Sequence, residues 1–198
     1  MELEEINFSA GNPRAFAEFI GQLDESKVAV ISHTDLDGIA SARIISEIVQ
    51  PDILRFLDYE DINLRLVNYL KKAEVKSAIF TDLSIDDAGI VREIEKFARV
   101  CVIDHHTFKE NLNSERTSFL NAQGYCVAYL CYYLCLKAQD ITKLDWLVCC
   151  ACLSDAIYYK NRGWMNEVFV KYGDKFELNN DIIRKSGAFW EMQKLYSY

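Results

Sequence analysis

The chain has 198 residues and a mass of 22.9 kDa, a size for one large domain or one domain with a small appendage. With 51% hydrophobic residues, 26% charged residues, 8 Gly and 2 Pro, the composition excludes a disordered, collagenous or low-complexity chain. The formal net charge of −8 excludes a basic, non-specific nucleic-acid binder, so a nucleic-acid substrate would need a local basic groove or metal ions to meet its phosphates.

Over Arg14–Gln22 and just beyond, Phe16, Phe19, Ile20 and Leu23 have helical spacing. Lys27–His33 (KVAVISH) is a short, continuous apolar run, the pattern of a strand buried on both faces of a parallel sheet. Gly38–Val49 follows as an amphipathic helix ending near Pro51. Asp52–Asp58 reads as a second strand, Asn63–Ala73 as a helix, and Ser77–Leu83 as a third strand. Asp86–Phe97 reads as a helix whose first turn, with Asp86 and Asp87, suits the positive end of the helix dipole. Arg99–His106 is a fourth strand and Thr117–Asn121 a fifth. Strands alternating with helices predict an α/β fold with a doubly wound, mainly parallel five-stranded sheet.

After Gly124 the pattern changes. Tyr125–Ala138 and Ile141–Tyr158 are apolar nearly all round and predict two buried helices, and Lys160–Tyr198 reads as amphipathic and helical. The expected organisation is an α/β core over 1–124 and a helical part over 125–198 that completes it. The Met-Glu-Leu-Glu-Glu start lacks the pattern of a secretory signal, and no apolar run reaches the length of a membrane span. Seven cysteines, an odd number set mostly in apolar stretches, read as reduced thiols and predict a cytoplasmic protein. The Cys-x-x-Cys spacing of Cys149 and Cys152, and the pair Cys131 and Cys135, lie in apolar helices without turn residues and read as core.

In open parallel sheets ligands bind beyond the carboxyl ends of the strands. Those ends carry His33, Asp35 and Asp37 (SHTDLDG), then Asp82, then Asp104, His105 and His106, which include all three histidines of the chain. Asp155 lies further on, near the end of a buried helix. Clustered carboxylates repel one another when bare, and divalent cations resolve this. Mixed carboxylate and imidazole ligands suit Mn²⁺, with Mg²⁺ favoured where oxygen dominates. Gly38 would permit a tight turn and close backbone approach.

The ordered motifs SHTDLDG, Asp82 in FTDLS, VIDHH, and Asp155 in LSDA resemble those of the DHH phosphoesterase family, closest in wording to its archaeal RecJ-like branch. The resemblance implies two divalent cations held by Asp35, Asp37, Asp82, His105 and Asp155, with Asp82 bridging. It implies a catalytic pair in which His106 contacts the scissile phosphate and Asp104 holds the strand end. His33 departs from the family pattern, because Ile31 stands where a ligand histidine would be expected; His33 is read as an auxiliary ligand or a phosphate contact. The implied activity is metal-dependent hydrolysis of phosphodiesters in short single-stranded nucleic acid or small nucleotides, by a nuclease or nucleotide phosphodiesterase. The alternative is a catalytically weak RecJ-like scaffold in a replication or repair complex. The resemblance implies a second, glycine-rich substrate domain, and the residues after Asp155 hold no glycine cluster, which is read as its natural absence or its removal from a longer chain. Lys160 and Arg162 are placed for phosphate contact. Tyr125, Tyr129, Tyr132 and Tyr133 read as core, while Trp164, Phe169, Phe189 and Trp190 read as anchors for a homodimer or hetero-complex through the helical part. No membrane partner is expected.

Overall fold

The computed structural model describes residues 3–23, 27–85, 87–179, 182–183 and 185–196. Among these, strands β1 (Val28–His33), β2 (Ile53–Leu57), β3 (Ser77–Thr81), β4 (Arg99–Asp104) and β5 (Thr117–Asn121) form one sheet in the order β2-β1-β3-β4-β5. Every pairing in it is parallel. The strand order reverses between β1 and β3, which opens a crevice at their carboxyl ends.

Side-chain alternation splits the core into two layers. Val28, Val30, Ile79, Cys101 and Ile103 face helices α2 (Leu36–Ile45), α5 (Val127–Leu136) and α6 (Asp145–Ser154). Ala29, Ile31, Phe80, Val100 and Val102 face α3 (Leu64–Lys72) and α4 (Ala88–Glu95). Helices on both faces make the fold doubly wound, as the strand and helix alternation predicts. Val127 to Cys135 of α5 are buried without interruption, and each large side chain so buried contributes about 1.5–3 kcal/mol.

Helix starts are set by side-chain caps. Asn12 accepts from the Ala15 amide ahead of α1 (Pro13–Ile20), with Pro13 in its first turn. Asp87 caps α4 by accepting from Gly89 N; the helix begins at Ala88, and Asp86 lies outside the described residues. Asp35 caps α2, so this helix starts at Leu36 and Asp37 sits inside its first turn.

Beyond α6 the chain forms α7 (Arg162–Lys171), a short antiparallel pairing of β6 (Leu178–Asn179) with β7 (Ile182–Ile183), and α8 (Ala188–Tyr196). The expected helical tail is therefore interrupted, at a point where β-branched Ile182 and Ile183 favour extended backbone. Trp164, Phe169 and Phe189 are buried in the chain's own core. They are spent on internal packing and are not available as anchors for another molecule. Among the described residues beyond α6, the large apolar side chains exposed are Tyr159, Val170, Tyr172 and Leu195. Tyr125, Tyr129, Tyr132 and Tyr133 are core, as expected. All seven cysteines are free and buried. Among the described residues no helix is long and apolar enough to cross a membrane.

Candidate functional site

The register brings the motif residues together. Thr81 pairs with Ser32 on one side and with Ile103 on the other. The next residues, His33, Asp82 and Asp104, therefore fall in one row across β1, β3 and β4. The strand period also explains His33. Ile31 and His33 share a face of β1, but Ile31 is fully buried in the core while His33 stands at the carboxyl end. An imidazole two residues further along the strand keeps the face that its neighbours use and reaches the crevice.

Asp35 holds its place by capping α2, accepting from Gly38 N at 2.9 Å. The turn is tight enough that a Cβ on Gly38 would lie 2.4 Å from the His33 carbonyl oxygen, so only glycine fits. Below it Ser32 Oγ donates to the Gly38 carbonyl at 2.6 Å. Thr34 Oγ1 donates to Asp58 Oδ1 at 2.8 Å and ties this loop to the end of β2.

Asp37 is 2% exposed. Its Oδ1 accepts from Ala128 N at 2.7 Å and from the Cys126 thiol at 2.9 Å, while Oδ2 accepts from Val127 N at 2.8 Å. A residue of α2 thus supplies the N-terminal cap that α5 lacks locally. Each carboxylate oxygen has two lone pairs, so Oδ1 is saturated and Oδ2 keeps one direction for a further partner. Burial raises the Asp37 pKa to about 6, against the pull of these three donors.

Asp82 follows β3 with a left-handed backbone, φ 57°, a conformation aspartate adopts more readily than most residues. It is 2% exposed. Burial first, then the charges of Asp37 and Asp35, push its carboxyl up to about 12. Burial followed by the Asp37 charge raises Asp155 to about 6. Asp155 is the C-cap of α6, where the dipole adds negative potential.

The two adjacent histidines differ in role by geometry. His105 Nδ1 lies 2.9 Å from the Tyr125 carbonyl, a bond in which the ring nitrogen must donate. Nε2 is then the free ligand atom, and it lies 3.6 Å from Asp82 Oδ1. His106 Nδ1 donates to Asp104 Oδ1 at 2.7 Å, and that bond raises the His106 pKa. Asn121 Nδ2 donates to the His106 carbonyl at 2.9 Å and fixes the following backbone.

Three groups of ligand atoms lie within 4.8 Å of one another: His33, Asp35 and Asp82; Asp82, Asp104, His105 and His106; and Asp37, Cys126 and Asp155. Every residue singled out as a site member from the sequence belongs to one of them. His33 Nδ1, Asp82 Oδ2 and Asp155 Oδ2 are buried and make no hydrogen bond. His33 Nδ1 lies 3.0 Å from Asp35 Oδ2 and 3.9 Å from Asp82 Oδ2. Buried polar atoms without partners are costly and rare in native folds. A converging set of them, with oxygen and imidazole donors, fits divalent cations.

The structure adds residues that no motif marked. Cys126 and the Tyr125 carbonyl come from the loop before α5, and Asn121 ends β5. Tyr59, in the turn after β2, stacks on His33 with centroids 4.5 Å apart and meets His106 edge-on. Its burial, then the charge of Asp82, raise the Tyr59 pKa. Lys160 lies at the same end of the molecule, with Nζ donating to the Gln123 carbonyl at 2.7 Å and set over the Tyr125 ring.

The family model described as DHH family, N-terminal domain, matches residues 27–153, well over half of the chain. No curated protein matches the chain by sequence. Among solved structures the chain is similar to CDC45 from Entamoeba histolytica, with 16% identity, 81% of this chain and 37% of that chain covered, and a TM-score of 0.62. It is similar to RecJ in complex with Mn²⁺ from Thermus thermophilus, with 17% identity, 78% and 25% coverage, and a TM-score of 0.56. It is also similar to the DHH domain of a member of a ribosomal-protein family, with 14% identity, 93% and 48% coverage, and a TM-score of 0.59. At these identities the likeness is one of fold. The chain spans less than half the length of each of these proteins.

Proposed function

The chain belongs to the DHH family, as its four ordered motifs imply, and on that premise we propose that it is a metal-dependent phosphoesterase acting on phosphodiesters of short single-stranded nucleic acid or of small nucleotides. The observation that carries this reading is the convergence of buried ligand atoms that make no hydrogen bond, on His33, Asp82 and Asp155, at the reversal in strand order.

In this reading Asp35, Asp37, Asp82, His105 and Asp155 would hold two divalent cations, Mn²⁺ by preference and Mg²⁺ as the second choice, with Asp82, which belongs to two of the ligand groups, as the shared ligand. Two such cations supply polarisation of a phosphoryl oxygen and a water of lowered pKa. The chain's own residues do the rest. His105 is fixed in one tautomer by the Tyr125 carbonyl and presents Nε2. His33 completes the donor set beside Asp35. His106, held by Asp104, presents Nε2 to a phosphoryl oxygen and supplies a hydrogen bond as charge develops there. In this reading the α/β part, up to Gly124, supplies most of the site, and the mainly helical part after it brings Cys126, Asp155 and Lys160 to it. The likeness to RecJ with its Mn²⁺, a likeness of fold, is consistent with the choice of metal.

One observation favours the rival reading of a RecJ-like scaffold: Asp37 already caps α5 through three donors and would be kept without any metal. Calorimetric titration with Mn²⁺, followed by assay of short RNA, short DNA, cyclic dinucleotides, phosphoadenosine phosphate and pyrophosphate, decides between them. The phosphoesterase reading expects saturable binding of about two Mn²⁺ per chain and turnover of a phosphodiester. Absence of saturable binding at millimolar Mn²⁺ would overturn it.

A further inference from the structure

Tyr59 lies outside every motif, yet it touches two of the three histidines of the site. It belongs to a single 3-10 turn, Tyr59–Asp61, directly after β2. Asp58, one residue earlier, is bonded to Thr34, so this turn is anchored to the same loop that carries Asp35. The Tyr59 ring lies nearly parallel to His33, at an interplanar angle of 19°, and edge-on to His106 at 84°. The hydroxyl is 3.3 Å from His106 Nε2. His33 therefore covers one face of the ring and His106 meets its edge. The residue is nevertheless 43% exposed, although it stacks on one histidine and meets another edge-on.

We propose that Tyr59 is a substrate-positioning residue whose second face receives the nucleobase attached to the phosphate bound at the site. This rests on the phosphoesterase reading and deepens it. The histidine and carboxylate cluster supplies what a phosphate and its cations need, all of it polar. An exposed aromatic face bordering that cluster meets a ligand that is charged at one end and planar at the other. Nucleotides have that form, whereas pyrophosphate and sugar phosphates have no planar group. Base stacking on an aromatic ring tolerates any base, so Tyr59 would select for nucleotides as a class without reading sequence. The stack on His33 adds position: it fixes the plane of the ring and so sets the base relative to the phosphate.

The test is equilibrium binding of adenosine 5′-monophosphate and of ribose 5-phosphate to the Mn²⁺-loaded full chain, comparing wild type with Tyr59→Phe and Tyr59→Leu. Tyr59→Phe keeps the ring and is expected to hold adenosine monophosphate within about twofold of wild type. Tyr59→Leu is expected to weaken it at least about fivefold and to leave ribose 5-phosphate unchanged. Three outcomes overturn the proposal: equal adenosine monophosphate affinity in wild type and Tyr59→Leu, equal loss for both ligands in Tyr59→Leu, or no adenosine monophosphate binding by wild type at millimolar concentration. A protein that discriminates the two ligands through Tyr59 but hydrolyses no phosphoester would keep this proposal and reject the catalytic reading.

Discussion

Asp37 closes the N-terminus of a helix 90 residues away: its Oδ2 accepts the Val127 amide at 2.8 Å. The carboxylate that the motif offers as a metal ligand is also the cap that positions α5 over the sheet.

Removing that cap therefore has a structural cost independent of metal. Asp37→Ala leaves two buried amides and a thiol without an acceptor, and each unsatisfied buried donor costs about 1–3 kcal/mol. A loss of at least about 3 kcal/mol is expected by urea unfolding in chelator. Asp37→Asn retains one acceptor oxygen and should lose less. An Asp37→Ala protein as stable as wild type would show that α5 is capped by other means.

Asp82→Asn should behave in the opposite way. It removes a carboxyl whose ionised form is disfavoured by burial and by its carboxylate neighbours, and one of whose oxygens has no partner. The metal-free variant is expected to melt at a higher temperature than metal-free wild type. It should also lose most of the Mn²⁺-dependent rise that wild type gains by mass action. Thermal melts in chelator and in millimolar Mn²⁺ check both signs. An unchanged Mn²⁺ effect would remove Asp82 from the ligand set.

Asp104 and His106 separate positioning from metal binding. His106→Ala should bind Mn²⁺ nearly as wild type does, because His105 carries the free ligand nitrogen, yet lose about 10²–10³ in kcat. Asp104→Asn acts through His106 and should lower kcat about 10- to 100-fold with KM and Mn²⁺ affinity little changed. Calorimetry beside steady-state kinetics tests this split; parallel loss of metal and activity in both variants would refute it.

On the far side of the sheet, Glu95 accepts from Thr117 Oγ1 at 2.5 Å, from Arg92 at 2.9 Å and from Ser114, joining α4 to β5. Burial raises its pKa, but the Ser114, Thr117 and Arg92 bonds outweigh this and the net shift is downward from 4.5. A depressed carboxylate adds stability that is present above its unfolded pKa and lost as pH falls through its folded one. Glu95→Gln should thus cost about 1 kcal/mol at neutral pH, with the difference shrinking toward zero below about pH 4. Urea midpoints across that range measure it; a difference that stays constant with pH would reject the ionic contribution.

The strands were legible because a sheet covered on both faces leaves continuous apolar runs, and KVAVISH and RVCVIDHH have no other soluble reading. The site was legible because parallel strands deliver their carboxyl ends to one edge, so Asp82 and Asp104 had to lie near His33. Tyr59 was not, since a ring recruited by a turn leaves no periodic or motif signal. The double use of Asp37 was equally hidden, because its partners are mainly amides, which nearly every residue has. The interruption of the tail at β6 and β7 was hidden for a similar reason. Two-residue strands are too short for alternation to register against the amphipathic pattern on either side.

The left-handed backbone of Asp82 bears on how such a site would decay over generations. A lineage that ceased to bind cations would gain stability from a small neutral residue that tolerates this backbone, asparagine or above all glycine. Drift would erase Asp82 early, while Asp37 would persist because α5 depends on it. Among descendants of this chain, an aspartate at position 82 would therefore report continued metal use, and an aspartate at position 37 would report only that the fold survives.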